Sequence, residues 1–231
     1  MRLAGLQKLT LLDFPKTVAC TVFTDGCNFR CPFCHNASLV LSEENPSFLA
    51  EEDLLSFLKK RTGVLEGVVF TGGEPLLHSD LPSLMEKIKQ LGYKIKLDTN
   101  GTNPTALAML IENGLVDRVA MDIKNAPEYY AETVGLPALD LEKIEQSKNL
   151  LLHQTIPFEF RTTVVKGLHD TEKLIQLAEW IAGDEEYYLQ GFKDSGSLIN
   201  AAGLSAFPKE EMLAFADAVR PYVPSVQVRG I

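Results

Sequence analysis

Three cysteines, Cys27, Cys31 and Cys34, share one short stretch, Gly26-Cys27-Asn28-Phe29-Arg30-Cys31-Pro32-Phe33-Cys34-His35-Asn36. Their spacing is C-x3-C-x2-C. Thiolates are soft ligands suited to zinc or to an iron–sulfur cluster, and spacing this short gathers three of them around one centre. Ligand count separates the two options. Structural zinc takes four ligands, typically as paired C-x2-C halves far apart in the chain, and the second half is missing. His35 is a poor fourth ligand, because adjacency to Cys34 makes tetrahedral closure awkward. The remaining cysteine, Cys20, lies mid-strand among apolar neighbours and reads as a buried thiol. A four-iron cluster held by three cysteines leaves one iron with no protein ligand, and there a small molecule can bind and react. The plainer alternative is a zinc knuckle or a set of buried thiols.

Other residues could join such a centre. Gly72 and Gly73, in Val69-Phe70-Thr71-Gly72-Gly73-Glu74-Pro75, let backbone atoms approach a ligand closely, and Glu74 helps shape the turn. The plain reading is a turn into the next helix. Asp98 and Asp122 end consecutive strands, and like charges brought together need a cation or a shared proton. Capping of backbone amides at the strand ends explains them equally well. Lys124 shares the side of Asp122, and Arg161 opens a later strand and can pair with a carboxylate. Gln190 ends another strand. His35 and Asn36 can donate hydrogen bonds near the last cysteine. His78, His153 and His169 lack ligand-like spacing, and Trp180 reads as packing.

The elements that must position these residues follow from periodicity. Strands are predicted over 17–24, 67–71, 94–98, 116–123, 158–165, 187–191 and 225–229. Helices are predicted over 51–60, from Ser79 or Asp80 through Leu91, from Pro104 to Gly114, over 140–153, around Leu174–Ile181 and over 208–219. A loop is expected around Pro127, Gly135 and Pro137, and another over 193–207. Strands alternating with helices argue for parallel βαβ units, as a partial (β/α) barrel or a doubly wound sheet. Either architecture puts its site at the C-terminal strand ends, where the cysteine stretch and the Gly-Gly turn both fall. One domain over 1–231 is expected.

Composition bounds the function. The chain has 231 residues, 45% hydrophobic and 23% charged, enough for a full core without disulfides. Lys plus Arg is 22 and Asp plus Glu is 31, a net charge of −9. No basic stripe for nucleic acid is visible, an anionic membrane surface is not favoured, and no apolar run approaches the ~20 residues of a membrane helix. With no signal-peptide pattern near the N-terminus, a cytoplasmic protein is expected.

At the cysteine stretch, with aromatic Phe33 before Cys34, and at the Gly72-Gly73-Glu74-Pro75 turn, the chain resembles the radical S-adenosylmethionine superfamily. More closely, it resembles the activating proteins of anaerobic ribonucleoside-triphosphate reductases. That likeness runs through Gly5-Leu6-Gln7-Lys8, Leu12-Asp13-Phe14-Pro15, Leu97-Asp98-Thr99-Asn100-Gly101, Ala120-Met121-Asp122-Ile123-Lys124 and Arg161-Thr162-Thr163-Val164-Val165. The resemblance implies a partial (β/α)6 TIM-like barrel and a [4Fe-4S] cluster on Cys27, Cys31 and Cys34. S-adenosylmethionine would chelate the open iron, and its reductive cleavage would give a 5′-deoxyadenosyl radical. The implied cofactor contacts are Phe33, Gly72, Gly73, Glu74, Pro75, Thr99, Asn100, Asp122, Lys124, Arg161 and Gln190. Of these, the turn faces the cofactor's amino group, Lys124 its carboxylate and Gln190 its adenosine. A monovalent cation is implied at Asp98, Thr99 and Asp122. The implied partners are a glycyl-radical enzyme, the anaerobic ribonucleotide reductase, and a one-electron donor such as flavodoxin or ferredoxin.

Two rivals remain. A radical enzyme acting on a small molecule, such as a pterin-derived or deazaguanine precursor, predicts a closed polar pocket. An iron–sulfur electron carrier without catalysis predicts four protein ligands and no cofactor pocket, and both motifs count against it.

Overall fold

The computed structural model describes residues 1–41, 48–153, 156–183, 186–194 and 196–231. Its strands are β1 (Leu3–Thr10), β2 (Ala19–Thr24), β3 (Gly67–Gly72), β4 (Lys94–Thr99), β5 (Arg118–Asp122), β6 (Phe158–Val164), β7 (Tyr187–Gly191) and β8 (Gln227–Arg229). They stand in the sheet in chain order, so β1 and β8 are edges and the sheet is open. β1 runs antiparallel to β2, whereas β2–β3, β3–β4, β6–β7 and β7–β8 are parallel. The helices are α1 (Ala37–Val40), α2 (Glu51–Lys59), α3 (Leu81–Gln90), α4 (Pro104–Glu112), α5 (Tyr130–Thr133), α6 (Leu141–Leu152), α7 (Thr171–Trp180) and α8 (Lys209–Val219). This is the mixed α/β fold of a partial TIM-like barrel. Among the described residues no helix is long and apolar enough to cross a membrane.

Contacts group the chain into two compact units. The first holds 1–28, 38–120 and 155–157; the second holds 29–37, 121–154 and 158–231. In the first, Val68, Val69 and Phe70 of β3 and Ile95 and Leu97 of β4 are fully buried. Strands covered on both faces lose the hydrophobic–polar alternation of a half-exposed strand. Leu54 and Leu58 of α2 and Leu81, Leu84 and Ile88 of α3 are buried too, each worth about 1.5–3 kcal/mol of stabilisation. Asn103 caps α4 by accepting from the Ala106 N–H, and Pro104 follows at its first turn. Asp80 occupies the N-cap of α3, but its side chain makes no capping bond.

In the second unit, Phe160, Val164, Tyr187 and Leu189 are buried, as are Leu174, Leu177 and Ala178 of α7. Asp170 caps α7 by accepting from the Lys173 N–H. Registered parallel partners point to the same side of a sheet. The pairs Arg161↔Tyr188, Thr163↔Gln190 and Gln190↔Arg229 therefore share one face.

β1, α1 and α5 lie outside the predicted elements. β1 was not predicted, because its pairing with β2 slips between Leu3 and Gly5 and again between Gln7 and Thr10, which erases the period-two pattern. The loop around Pro127 contains a 3-10 turn over Pro127–Tyr129 and then α5. The described part of 193–207 is loop, as expected; Ser195 lies outside the described residues.

Candidate functional site

The cysteine stretch leaves β2 after Thr24, and the Gly-Gly turn leaves β3. In the first unit these two loops lock together. The Gly73 N–H donates to the Thr24 carbonyl (2.9 Å) and the Glu74 N–H to the Gly26 carbonyl (2.8 Å). A Cβ added to Gly73 would lie 1.8 Å from the Gly26 oxygen, and one on Gly72, at φ +116°, would lie 2.5 Å from the Thr24 nitrogen. Both glycines are thus required by the chain's own close approach.

Glu74 is buried, and its carboxylate is committed internally. Oε1 accepts from the Leu76 N–H (3.1 Å) and the Thr99 hydroxyl (2.7 Å), and Oε2 accepts from the Asn100 N–H (2.6 Å). It welds the turn to the end of β4, which agrees with the shaping role expected of it. Pro75 opens a 3-10 turn behind it. Thr99 Oγ1 also accepts from the Gly101 N–H at 3.1 Å. Asn100 presents Nδ2 to Asn28 Oδ1 (2.8 Å) and to the Cys27 sulfur (3.9 Å), while its Oδ1 accepts from Thr102. Asn100 is therefore a hydrogen-bond donor to the first cysteine. Asp98 pairs with the buried Lys96.

Cys20 is fully buried in β2, and burial pushes its thiol up to about 12. It is a neutral core thiol, as expected. His78 bonds the Asp25 carbonyl through Nε2 at 2.9 Å.

In the second unit, Cys31 is buried, Cys34 is part-exposed, and the Cys34 N–H donates to the Cys31 carbonyl at 3.0 Å. Phe33 is buried. Phe29 packs edge-on against Tyr130. Asp122 receives Lys124 Nζ on Oδ2 (2.9 Å) and Arg161 Nε on Oδ1 (3.0 Å). Burial opposes its charge, yet Arg161 and Lys124 outweigh this and hold the carboxyl down at about 2. Burial likewise opposes the charge on Lys124, but Asp122 and Cys31 keep its ammonium above the ordinary lysine range. Lys96 faces Asp98, and Lys124 with Arg161 faces Asp122, so both carboxylates of the expected cation site have cationic partners within the chain.

His169 was expected to be structural or on the surface, and it is buried. The Val165 N–H donates to Nδ1 (3.1 Å), so the proton sits on Nε2 and is donated to the Lys124 carbonyl (2.8 Å). Burial lowers its pKa and keeps it neutral. His35, also held below its usual pKa by burial, stacks on Phe192. Sequence reasoning did not single out Asn28, Lys96, Lys193 or Arg229. For Arg229 part of the signal was available, since it falls in the predicted last strand, but its place beside Gln190 comes from the β7–β8 register.

The chain matches the Radical SAM superfamily over residues 21–181 and belongs to that superfamily. A Methanocaldococcus jannaschii relative, provisionally named glycyl-radical enzyme activating enzyme MJ1227, is 30% identical over 239 residues, covering 99% of this chain and 95% of its own. A Thermococcus kodakarensis relative, provisionally named GTP 3′,8-cyclase, is 32% identical over 64% of this chain and 48% of its own. The chain spans about half of that relative's length. Among solved structures, Streptococcus suis SuiB bound to S-adenosylmethionine superposes with TM-score 0.69 at 13% identity, over 89% of this chain and 48% of SuiB. TYW1 with a lysine-pyruvate adduct gives 0.60 at 16%, over 89% and 74%. At such identities both show the fold alone.

Membership implies a [4Fe-4S] cluster and S-adenosylmethionine. The donor chemistry fits a cluster: three cysteine thiols close together in the chain, the first approached by the Asn100 amide and Cys31 within electrostatic reach of the Lys124 ammonium. Among the described residues no three His, Cys, Asp or Glu side chains converge as a single metal ion needs.

Proposed function

We propose that this radical S-adenosylmethionine enzyme activates a glycyl-radical enzyme, drawing hydrogen from a backbone glycine of that partner. The observation that carries the reading is the relative provisionally named as such an activating enzyme, matched over 99% of this chain and 95% of its own. The motif likeness described above narrows the partner to an anaerobic ribonucleoside-triphosphate reductase, with flavodoxin or ferredoxin as electron donor.

In this reading Cys27, Cys31 and Cys34 hold the cluster, with Phe33 limiting solvent beside it. The cluster and S-adenosylmethionine together supply a carbon-centred radical by one-electron cleavage of the sulfonium. The chain's own residues bind and orient. The turn at Gly72, Gly73, Glu74 and Pro75, braced by Thr99 and Asn100, offers carbonyl acceptors to the cofactor's amino group. Lys124 and Arg161, preset by Asp122, offer donors to its carboxylate. Gln190 reaches toward its adenosine.

A second reading, a radical enzyme acting on a nucleotide, is favoured by the GTP 3′,8-cyclase relatives, whose likeness extends over 64% of this chain in one case and 71% in another. One experiment separates the readings. The anaerobically reconstituted, reduced protein is given S-adenosylmethionine with either the reductase or GTP. The first reading expects 5′-deoxyadenosine in step with a glycyl signal in electron paramagnetic resonance. Turnover with GTP and no such signal would overturn it.

A further inference from the structure

A cavity of about 430 Å³ opens in the second unit, bordered by His35, Thr163, Gln190, Lys193, Arg229 and Gly230. Thr163, Gln190 and Arg229 are registered neighbours at the ends of β6, β7 and β8, so they share the face that also carries Arg161. Two of the bordering residues, Lys193 and Arg229, are basic and none is acidic. The nearby Asp194 turns its Oδ1 to the Gly196 N–H at 2.7 Å.

Arg229 is preset. Its guanidinium lies 3.1 Å from the centroid of the Tyr188 ring, and Nη1 pairs with the buried Glu159 at 3.4 Å. A guanidinium has five donors in a planar fork, so this pairing leaves several for a ligand. Lys193 is exposed and makes no ion pair among the described residues. A planar fork beside the point charge of a lysine suits a carboxylate.

We propose that this cavity binds a carboxylate of the polypeptide segment that presents the glycine. The inference rests on the activating role proposed above and deepens it. There, Lys124 and Arg161 serve the cofactor's carboxylate, which leaves Lys193 and Arg229 for the substrate. The segment would then carry an acidic side chain, or a chain end, close to its glycine.

The test is lysine footprinting on the reconstituted holoprotein with S-adenosylmethionine bound. Brief acetylation is followed by mass spectrometry, with exposed Lys60 and Lys209 as internal controls. The probes are acetylated pentapeptide amides with one glycine and one glutamate at varied separation, against the same set with glutamine. At least one glutamate peptide should protect Lys193 at a tenfold lower concentration than its glutamine twin, and Arg229→Gln should remove that preference. Because Arg229 also pairs with Glu159, that variant can misfold. Lys193→Gln, read by anisotropy of a labelled peptide, is the second variant and should likewise erase the preference. Equal protection by both sets, protection of Lys193 by S-adenosylmethionine alone, or stronger protection by GTP would each overturn the inference. If Lys193→Gln forms the glycyl signal on the partner normally, this inference fails and the activating role stands; if the unmodified protein forms none, the activating role itself fails.

Discussion

Replacing Glu74 by Gln isolates what the buried carboxylate contributes. The carboxylate accepts three hydrogen bonds, at 3.1, 2.7 and 2.6 Å. A glutamine keeps one oxygen, which serves Leu76 and Thr99, and points its amide nitrogen at the Asn100 N–H. Two donors then face each other, and a buried N–H loses its acceptor at about 1–3 kcal/mol. The two retained bonds lose charge assistance, roughly half their strength. Relief from burying a charge offsets part of this, leaving a net loss of about 3 kcal/mol. Against a total stability of about 5–15 kcal/mol, that is a large fraction. Urea titration of the apo protein followed by circular dichroism reads it directly. A double-mutant cycle with Thr99→Val should show a coupling of about 1 kcal/mol, because those side chains meet at 2.7 Å. A loss under about 1 kcal/mol, with an unchanged denaturant slope, would show that the turn does not depend on this carboxylate.

Asp122 predicts a pH signature. Its carboxyl sits at about 2 against an ordinary 3.8, so its contribution is present above pH 3.8 and drains as pH falls toward 2. That difference is worth about 2 kcal/mol, and the stability gap between wild type and Asp122→Asn should narrow over that window in denaturation curves. A gap that widens on acidification would contradict the sign. Cys20, held up at about 12, should resist iodoacetamide at pH 8 in the native apo protein while Cys34 reacts; comparable labelling by mass spectrometry would count against burial as the cause. Asn100→Ala removes a donor to the Cys27 sulfur and should move the potential of the reconstituted cluster to more negative values in a redox titration. An unchanged potential would place that amide outside the cluster's influence.

Much of this was legible in the sequence, for identifiable reasons. Val68 to Phe70 and Ile95 to Leu97 belong to strands buried on both faces, and such runs read clearly. Pro104 and Gly114 bracket α4 because one presets the helical φ and the other turns out of it at φ +64°. β1 escaped because its slipped pairing hides the alternation. Of the site, the cysteines and the Gly-Gly turn declare themselves by spacing. What spacing does not reveal is who satisfies whom. Glu74 is spent on Thr99 and Asn100, Asp98 on Lys96, and Asp122 on two cations. The Lys124 pair follows from two-residue alternation and was visible in the sequence, whereas the Glu74 bonds to Thr99 and Asn100 join separate elements and arise only on folding.

The clamp between Gly26 and Gly73 reaches further than local geometry. The residue that bends the second loop cannot take a side chain unless the main chain just ahead of the first cysteine moves, since any Cβ on Gly73 meets the Gly26 backbone. An engineer wishing to reshape that bend for an altered nucleotide would have to rebuild the anchor of Cys27 in the same stroke. Variation in this protein should accordingly be freer at exposed loop positions such as Lys193 than at these two joined bends.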